Sequence, residues 1–133
     1  MKKSWTGEVV MFSGNTDCYQ PLEASYQLTR ECLQVCSEFK NPVSIITKST
    51  LIERDIELLQ KLNKQVSLSV SISIPFWDPQ NARAIEPYVA SPNRRIQTIQ
   101  KLASAGIPVN VMLSPIIPGL TDSDIPQILE AAR

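Results

Sequence analysis

Glu8-Val9-Val10-Met11-Phe12-Ser13-Gly14-Asn15-Thr16-Asp17-Cys18-Tyr19-Gln20-Pro21 begins as an apolar run of strand length and turns small and polar within one residue, at Ser13. A buried parallel strand that empties into such a loop reads as the wall of an α/β site, because ligands sit outside the carboxyl ends of the strands. Three later apolar runs end the same way, on Thr47-Lys48-Ser49, Ser71-Ile72-Ser73 and Ser114-Pro115. The four ends are expected to point at one ligand.

Working outward, 133 residues make one domain or a piece of one, and 43% apolar with 20% charged side chains allow a proper core and argue against disorder. The formal net charge of zero gives a nucleic-acid partner no electrostatic support. No apolar run approaches the roughly 20 residues that span a bilayer. Met1-Lys2-Lys3-Ser4-Trp5 is not followed by a signal-peptide core, so no membrane partner and a cytoplasmic location are expected. Three cysteines, an odd number, fit reduced thiols.

The first strand is placed at Glu8 to Ser13. Apolar spacing predicts one helix from near Ala24 to Lys40, burying Leu28, Cys32, Val35, Cys36 and Phe39, with Arg30, Gln34 and Glu38 opposite. Asn41-Pro42 ends it. Val43 to Thr47 is the second strand; Thr50-Leu51-Ile52-Glu53 has the form of a capping box, opening a helix that buries Leu51, Ile52, Leu58, Leu59 and Leu62. Val66 to Ile74 alternates apolar residues with serines, which suits either one wet sheet face or a crowded barrel interior. A short helix covers Gln80 to Ile85. Ser91-Pro92 caps another, burying Ile96, Ile99, Leu102 and Ala103 and closed by Gly106. Pro108 to Leu113 is the fourth strand, and a last helix, capped near Ser123, turns Ile125, Ile128 and Leu129 inward. The sum is an α/β chain of four consecutive βα units on a parallel sheet with right-handed crossovers, a single domain over 1–133.

Several segments together resemble a known family: Asn15-Thr16-Asp17-Cys18-Tyr19-Gln20-Pro21-Leu22-Glu23, Val43-Ser44-Ile45-Ile46-Thr47-Lys48-Ser49, Ile85-Glu86-Pro87, Ser91-Pro92-Asn93-Arg94-Arg95 and Pro115-Ile116-Ile117-Pro118-Gly119-Leu120-Thr121-Asp122. In order and spacing they look like radical S-adenosylmethionine (SAM) proteins, in the DNA-repair-photolyase-like branch related to spore photoproduct lyase. The resemblance implies a (βα)6 partial TIM barrel, of which this chain matches the second through fifth units. It also implies an enzyme that reductively cleaves SAM to a 5′-deoxyadenosyl radical at a [4Fe–4S] cluster held by a CxxxCxxC loop. That motif is absent: Cys32 and Cys36 are spaced CxxxC, but Phe39 stands where the third cysteine belongs. The resemblance therefore describes a fragment without metal ligands or catalytic residues. Its cluster loop lies upstream in a full-length parent, and alone it is expected to be inactive.

The resemblance further implies which residues bind the cofactor. Thr16 and Asp17 would meet the methionine end of SAM; read without it, Gly-Asn-Thr-Asp is ordinary turn chemistry. Lys48 matches a lysine that meets the SAM carboxylate; on its own terms, a lysine ending a buried strand must reach water or an anion. Ser73, or Ser71 one pleat pair earlier, corresponds to a SAM-contacting serine. Glu86 and Arg94 would pair to frame the site or reach SAM. Ile116, Ile117, Pro118 and Gly119 match an adenine-binding exit loop. Gly14 occupies the place of the lyase's hydrogen-donor cysteine and Cys18 falls beyond it, a departure from thymine-photoproduct chemistry. Phe76 and Trp77 read as a cover over the barrel mouth. The alternative to an enzyme is a non-catalytic α/β small-molecule or interaction module; a doubly wound nucleotide domain lacks its glycine motifs. Two unpaired sheet edges predict self-association of the fragment.

Overall fold

The computed structural model describes residues 5–133. Four strands, β1 (Val10–Phe12), β2 (Val43–Thr47), β3 (Leu68–Ser73) and β4 (Val109–Met112), form one sheet in the order β1-β2-β3-β4, every pair parallel. Helices fill the crossovers, α1 (Glu23–Tyr26), α2 (Leu28–Glu38), α3 (Ile56–Gln65), α4 (Pro79–Ile85) and α5 (Pro92–Ser104), and α6 (Ile125–Ala131) follows β4. Short 3-10 segments, Thr50–Asp55 and Asp122–Asp124, lead into α3 and α6. Consecutive order without reversal is the topology of a singly wound sheet, not of the doubly wound nucleotide domains.

Pleating sorts the side chains. Val43, Ile45, Leu68, Val70 and Ile72 are buried and pack in one cluster with Leu33, Leu59, Leu62, Ile96, Ile99, Leu102 and Ile128 from the helices. Each such aliphatic side chain contributes about 1.5–3 kcal/mol on burial. The other face carries Met11, Ser44, Ile46, Ser69, Ser71 and Asn110, in register across the sheet and partly or fully exposed. Among the described residues this serine-bearing face carries no helix, an arrangement compatible with either reading of the alternation.

The single helix expected over Ala24 to Lys40 is two. Gln27 takes a left-handed backbone (φ 54°) between α1 and α2. The cause is Glu23, a buried carboxylate that accepts the Thr29 N–H at 3.0 Å and the Arg30 N–H at 3.3 Å, capping α2 from outside it. The turn also rotates α2. Thr29, Leu33, Cys36 and Ser37 face the core; Leu28 (61% exposed), Cys32, Val35 (51%) and Phe39 (54%) face outward, against the expected burial. The inner polar side chains have specific partners: Thr29 donates to the Cys18 carbonyl at 2.6 Å and Ser37 to Gln65 at 3.1 Å.

Smaller differences have local causes. Ser49, not Thr50, caps the segment after β2, accepting the Leu51 N–H at 3.2 Å, because Glu53 is engaged with Thr98 and Lys101 of α5 instead of a capping box. Leu51 is only partly buried. β1 is shorter than expected, with Val9 and Met11 exposed at the sheet edge. Ala103 and Leu129 are exposed, while Ile96, Ile99, Leu102 and Ile128 hold their helices to the core. Phe76 is buried and Trp77 packs partly against the cluster.

Candidate functional site

The end of β1 is set by Ser13, which adopts φ 77° although it carries a Cβ. Such a backbone is strained and persists only where its surroundings hold it. Here the Ser13 hydroxyl accepts the Cys18 N–H at 2.9 Å, folding the loop back on itself. Asp17 then joins the loop to β2. Its Oδ1 accepts from the Thr47 hydroxyl at 2.7 Å and the Tyr19 N–H at 2.9 Å; its Oδ2 accepts the Lys48 N–H at 2.8 Å. Three donors on one carboxylate make Asp17 a clamp between two strand ends.

A second anchor lies under the loop. Tyr19, 1% exposed, donates its hydroxyl to Asp55 at 3.1 Å. Asp55 is fully buried between Arg30 and Arg54, and Arg54 also grips Glu23 at 2.9 Å. Burial alone would raise the Asp55 pKa, but the hydrogen bonds from the two guanidinium groups outweigh it and hold the carboxyl below its ordinary range. Burial and the neighbouring Asp55 charge push the Tyr19 phenol upward. Burial, with Asp17 adding to it, pushes the Cys18 thiol up to about 11, so this thiol is not a ready thiolate.

Between these strand ends lies a cavity of about 220 Å³ lined by Ser13, Asn15, Thr16, Asp17, Ile46, Thr47, Lys48 and Ser73. It brings together Thr16, Asp17, Lys48 and Ser73 from three different strand ends. The same loop also walls a larger cleft, about 560 Å³, on its α1–α2 side. The Lys48 ammonium pairs with Glu86, which follows α4; the other Glu86 oxygen accepts from Arg95 at 2.8 Å. Burial favours the neutral form of Glu86, yet hydrogen bonds from Lys48 and Arg95 keep its pKa below the ordinary carboxylate value. Ser73 is buried, with its hydroxyl 3.4 Å from the Ser114 carbonyl.

The other expected residues sit apart from this cavity. Ser71 lies on the open sheet face between Ile46 and Asn110. Arg94 is exposed on α5, bonded to Gln97 at 2.6 Å and 3.8 Å from Glu53, so the expected Glu86–Arg94 pair is Glu86–Arg95 instead. Glu86 is one side chain removed, touching the cavity through Lys48. The loop of Ile117, Pro118 and Gly119 is organised internally. Thr121, buried, accepts the Ile117 N–H at 2.8 Å, and Asp122 accepts the Gly119 N–H at 2.9 Å. Gly119 is needed there for its φ of 76°.

Arg95 is the residue that sequence reasoning missed, and a signal existed. It lies four residues before Ile99 and seven before Leu102, on the buried face of α5, whereas Arg94 is off that face. Asn15 and Ser13 carried no such signal.

A parallel sheet of consecutive βα units, with hydroxyls and a lysine gathered around a cavity at its carboxyl rim, defines the class as a singly wound α/β protein. The chain belongs to the radical SAM superfamily, whose family model matches residues 1–132. It is 36% identical over 122 residues to an uncharacterized protein of Mycobacterium tuberculosis, covering 92% of this chain and 36% of that protein. An uncharacterized protein of Methanocaldococcus jannaschii is 34% identical over 116 residues, 87% of this chain and 43% of its own. An uncharacterized protein of Acidianus two-tailed virus is 33% identical over 116 residues, 87% and 37% respectively. The chain thus spans less than half the length of these relatives. No solved structure gives a significant match.

The superfamily in general uses SAM and a [4Fe–4S] cluster. The cluster does not fit this chain: among the described residues no three metal-ligating side chains come together. Cys36 is buried in α2, Cys32 is exposed on it and Cys18 is half-buried in the loop. SAM fits in part. The cavity is smaller than the roughly 300–1,000 Å³ that encloses a whole ligand, but its hydroxyls and ammonium suit one polar, carboxylate-bearing end. Among the described residues no helix is long and apolar enough to cross a membrane.

Proposed function

We propose that this chain is the SAM-binding part of a radical SAM iron–sulfur enzyme in the photolyase-like branch, built as part of a (βα)6 partial TIM barrel and working in the cytoplasm. The observation that carries the reading is the meeting of Thr16, Lys48 and Ser73 at one rim cavity in a chain matched by the superfamily model from end to end. A reduced cluster held elsewhere in the polypeptide would supply the electron for reductive cleavage of SAM. The residues here bind and orient. Lys48 offers its ammonium to the SAM carboxylate, Thr16 and Ser73 offer hydroxyls, and Asp17 holds the two strand ends at fixed separation. Ile117, Pro118 and Gly119 form the wall on the adenine side. Glu86 supports the site from behind through Lys48; Ser71, next to Ile46 on the open sheet face, would meet only a ligand that extends along that face, and Arg94 stands apart, bonded to Gln97.

The experiment is anaerobic reconstitution of the complete polypeptide with iron and sulfide, followed by assay for 5′-deoxyadenosine with a reductant and SAM. Cluster formation with SAM cleavage supports the reading; a reconstituted protein that neither binds nor cleaves SAM refutes it. The missing ligand set favours one alternative, a non-catalytic α/β binding module. It predicts no iron uptake by the complete polypeptide. Expressed as these 133 residues, the chain is expected to self-associate through the outward apolar side chains of α2 and the open β1 edge. Light scattering at the monomer mass across micromolar concentrations would contradict that.

A further inference from the structure

Arg95 is 1% exposed, among the largest side chains buried in the molecule, and an unpaired guanidinium cannot remain there. All of its arms are occupied. Nε donates to the Ala90 carbonyl at 2.7 Å, Nη1 to the Ser73 carbonyl at 2.8 Å and Nη2 to Glu86 at 2.8 Å. One planar group therefore ties the end of β3, the turn before α5 and the carboxylate that holds Lys48. Two walls of the rim cavity, Ser73 and Lys48, are thus referred to a single rigid fork, which a lysine could not reproduce.

The charges matter as much as the geometry. Lys48 alone with Glu86 is a neutral pair, and an incoming carboxylate would have to compete with Glu86 for the ammonium. With Arg95 on its other oxygen, Glu86 is shared between two cations, and the chain Lys48–Glu86–Arg95 keeps one surplus positive charge. Its exposed end is Lys48, whose side chain is about one-third exposed, against 2% for Arg95. Asp17, which lines the same cavity, offsets that surplus, so what Arg95 supplies there is a second cation on Glu86 that weakens the hold of Glu86 on the Lys48 ammonium.

We propose that Arg95 is a positioning residue for the carboxylate end of the ligand: by holding Glu86 and Ser73 together it fixes Lys48 beside the cavity and shares Glu86, so that an incoming carboxylate competes with it more easily for the ammonium. This rests on the reading of the cavity as a SAM site, and it concerns a residue that does not touch SAM.

The test compares affinities of the complete, cluster-loaded polypeptide for SAM and for decarboxylated SAM, which keeps the adenosine and sulfonium but lacks the carboxylate. Lys48→Gln is expected to lower the ratio of the two affinities about tenfold, the scale of one hydrogen bond to a charged group. Arg95→Gln is expected to lower the ratio by a similar factor, SAM losing more affinity than decarboxylated SAM. The double variant is expected to lose no more than either single one, because both act on the same contact. A purely structural role weakens both ligands equally, and that result overturns the proposal. Where Arg95→Gln does not fold, Arg95→Lys serves: it keeps the charge but not the fork, and a two- to fivefold fall in the ratio is expected, with an unchanged ratio overturning the proposal. Failure of the underlying reading looks different: Lys48→Gln itself then leaves the ratio unchanged, or the wild type binds neither ligand.

Discussion

Replacing Asp17 by alanine separates two roles that a rim carboxylate can have, and the structure sets the size of the effect. Asp17 accepts from Thr47, Tyr19 and Lys48 at 2.7–2.9 Å. Hydrogen bonds to a charged group contribute about 1.5–3 kcal/mol each in favourable settings. Asp17 is only half-buried, so water replaces part of what is lost, and the Tyr19 bond is local to the turn. The Thr47 and Lys48 bonds are not local; they join two strand ends. Counting those two near the lower limit, Asp17→Ala is expected to destabilise the chain by about 3 kcal/mol. Asp17→Asn keeps one acceptor oxygen but turns an amide NH2 toward the Lys48 N–H, and is expected to cost about half as much. Urea denaturation followed by far-UV circular dichroism measures both. A loss below about 1 kcal/mol in Asp17→Ala, with unchanged slope, would refute the clamp and return Asp17 to a role in ligand contact alone.

Acid should loosen the same region. Asp55, Glu23 and Glu86 all have folded-state pKa values below their ordinary ones, so their ionised forms favour the folded chain. Their contribution is complete above the unfolded carboxylate range, near pH 4–4.5, and is lost as pH falls through the lower folded values; melting temperature should be flat from pH 7 to about 5 and drop below about 4. The three thiols should separate in a labelling time course at pH 8: Cys32 fast, Cys18 slow because its pKa is raised to about 11, and Cys36 slow because it is buried. Equal rates for all three would contradict the outward rotation of α2. Leu59→Ala, deep in the core, should cost 2–5 kcal/mol, whereas Val35→Ala on the outer face of α2 should cost under about 0.5 kcal/mol.

The strand ends were the most legible part of the sequence, because a change from apolar to small polar residues is a local signal. Val43 to Thr47 and the spacing of the βα units are read directly from it. The faces of α2 were not, for a physical reason. Its outer side carries Leu28, Val35 and Phe39, while its inner side includes Thr29 and Ser37, whose polar groups are satisfied by Cys18 and Gln65, far away in sequence. Apolar periodicity cannot see a partner supplied by tertiary contact. The Glu23 cap that breaks the helix at Gln27 is of the same kind, since a carboxylate in the first turn of α1 capping α2 obeys no fixed spacing. Thr16, Lys48 and Ser73, singled out at strand ends and by the family resemblance, line one cavity, while Arg95 was masked by its neighbour Arg94. Two adjacent arginines differ only in helical phase, and it was phase that decided which one reached Glu86.

The unbroken strand order has a kinetic side. Each strand hydrogen-bonds to the one made just before it, so no pairing waits for a segment from the far end of the chain. Loop-closure entropy is then met in short, similar instalments, and a nascent polypeptide leaving the ribosome can dock unit upon unit in the order of its synthesis. Such an architecture grows as a stack does: adding or removing a unit at either end leaves the contacts between the inner ones as they were.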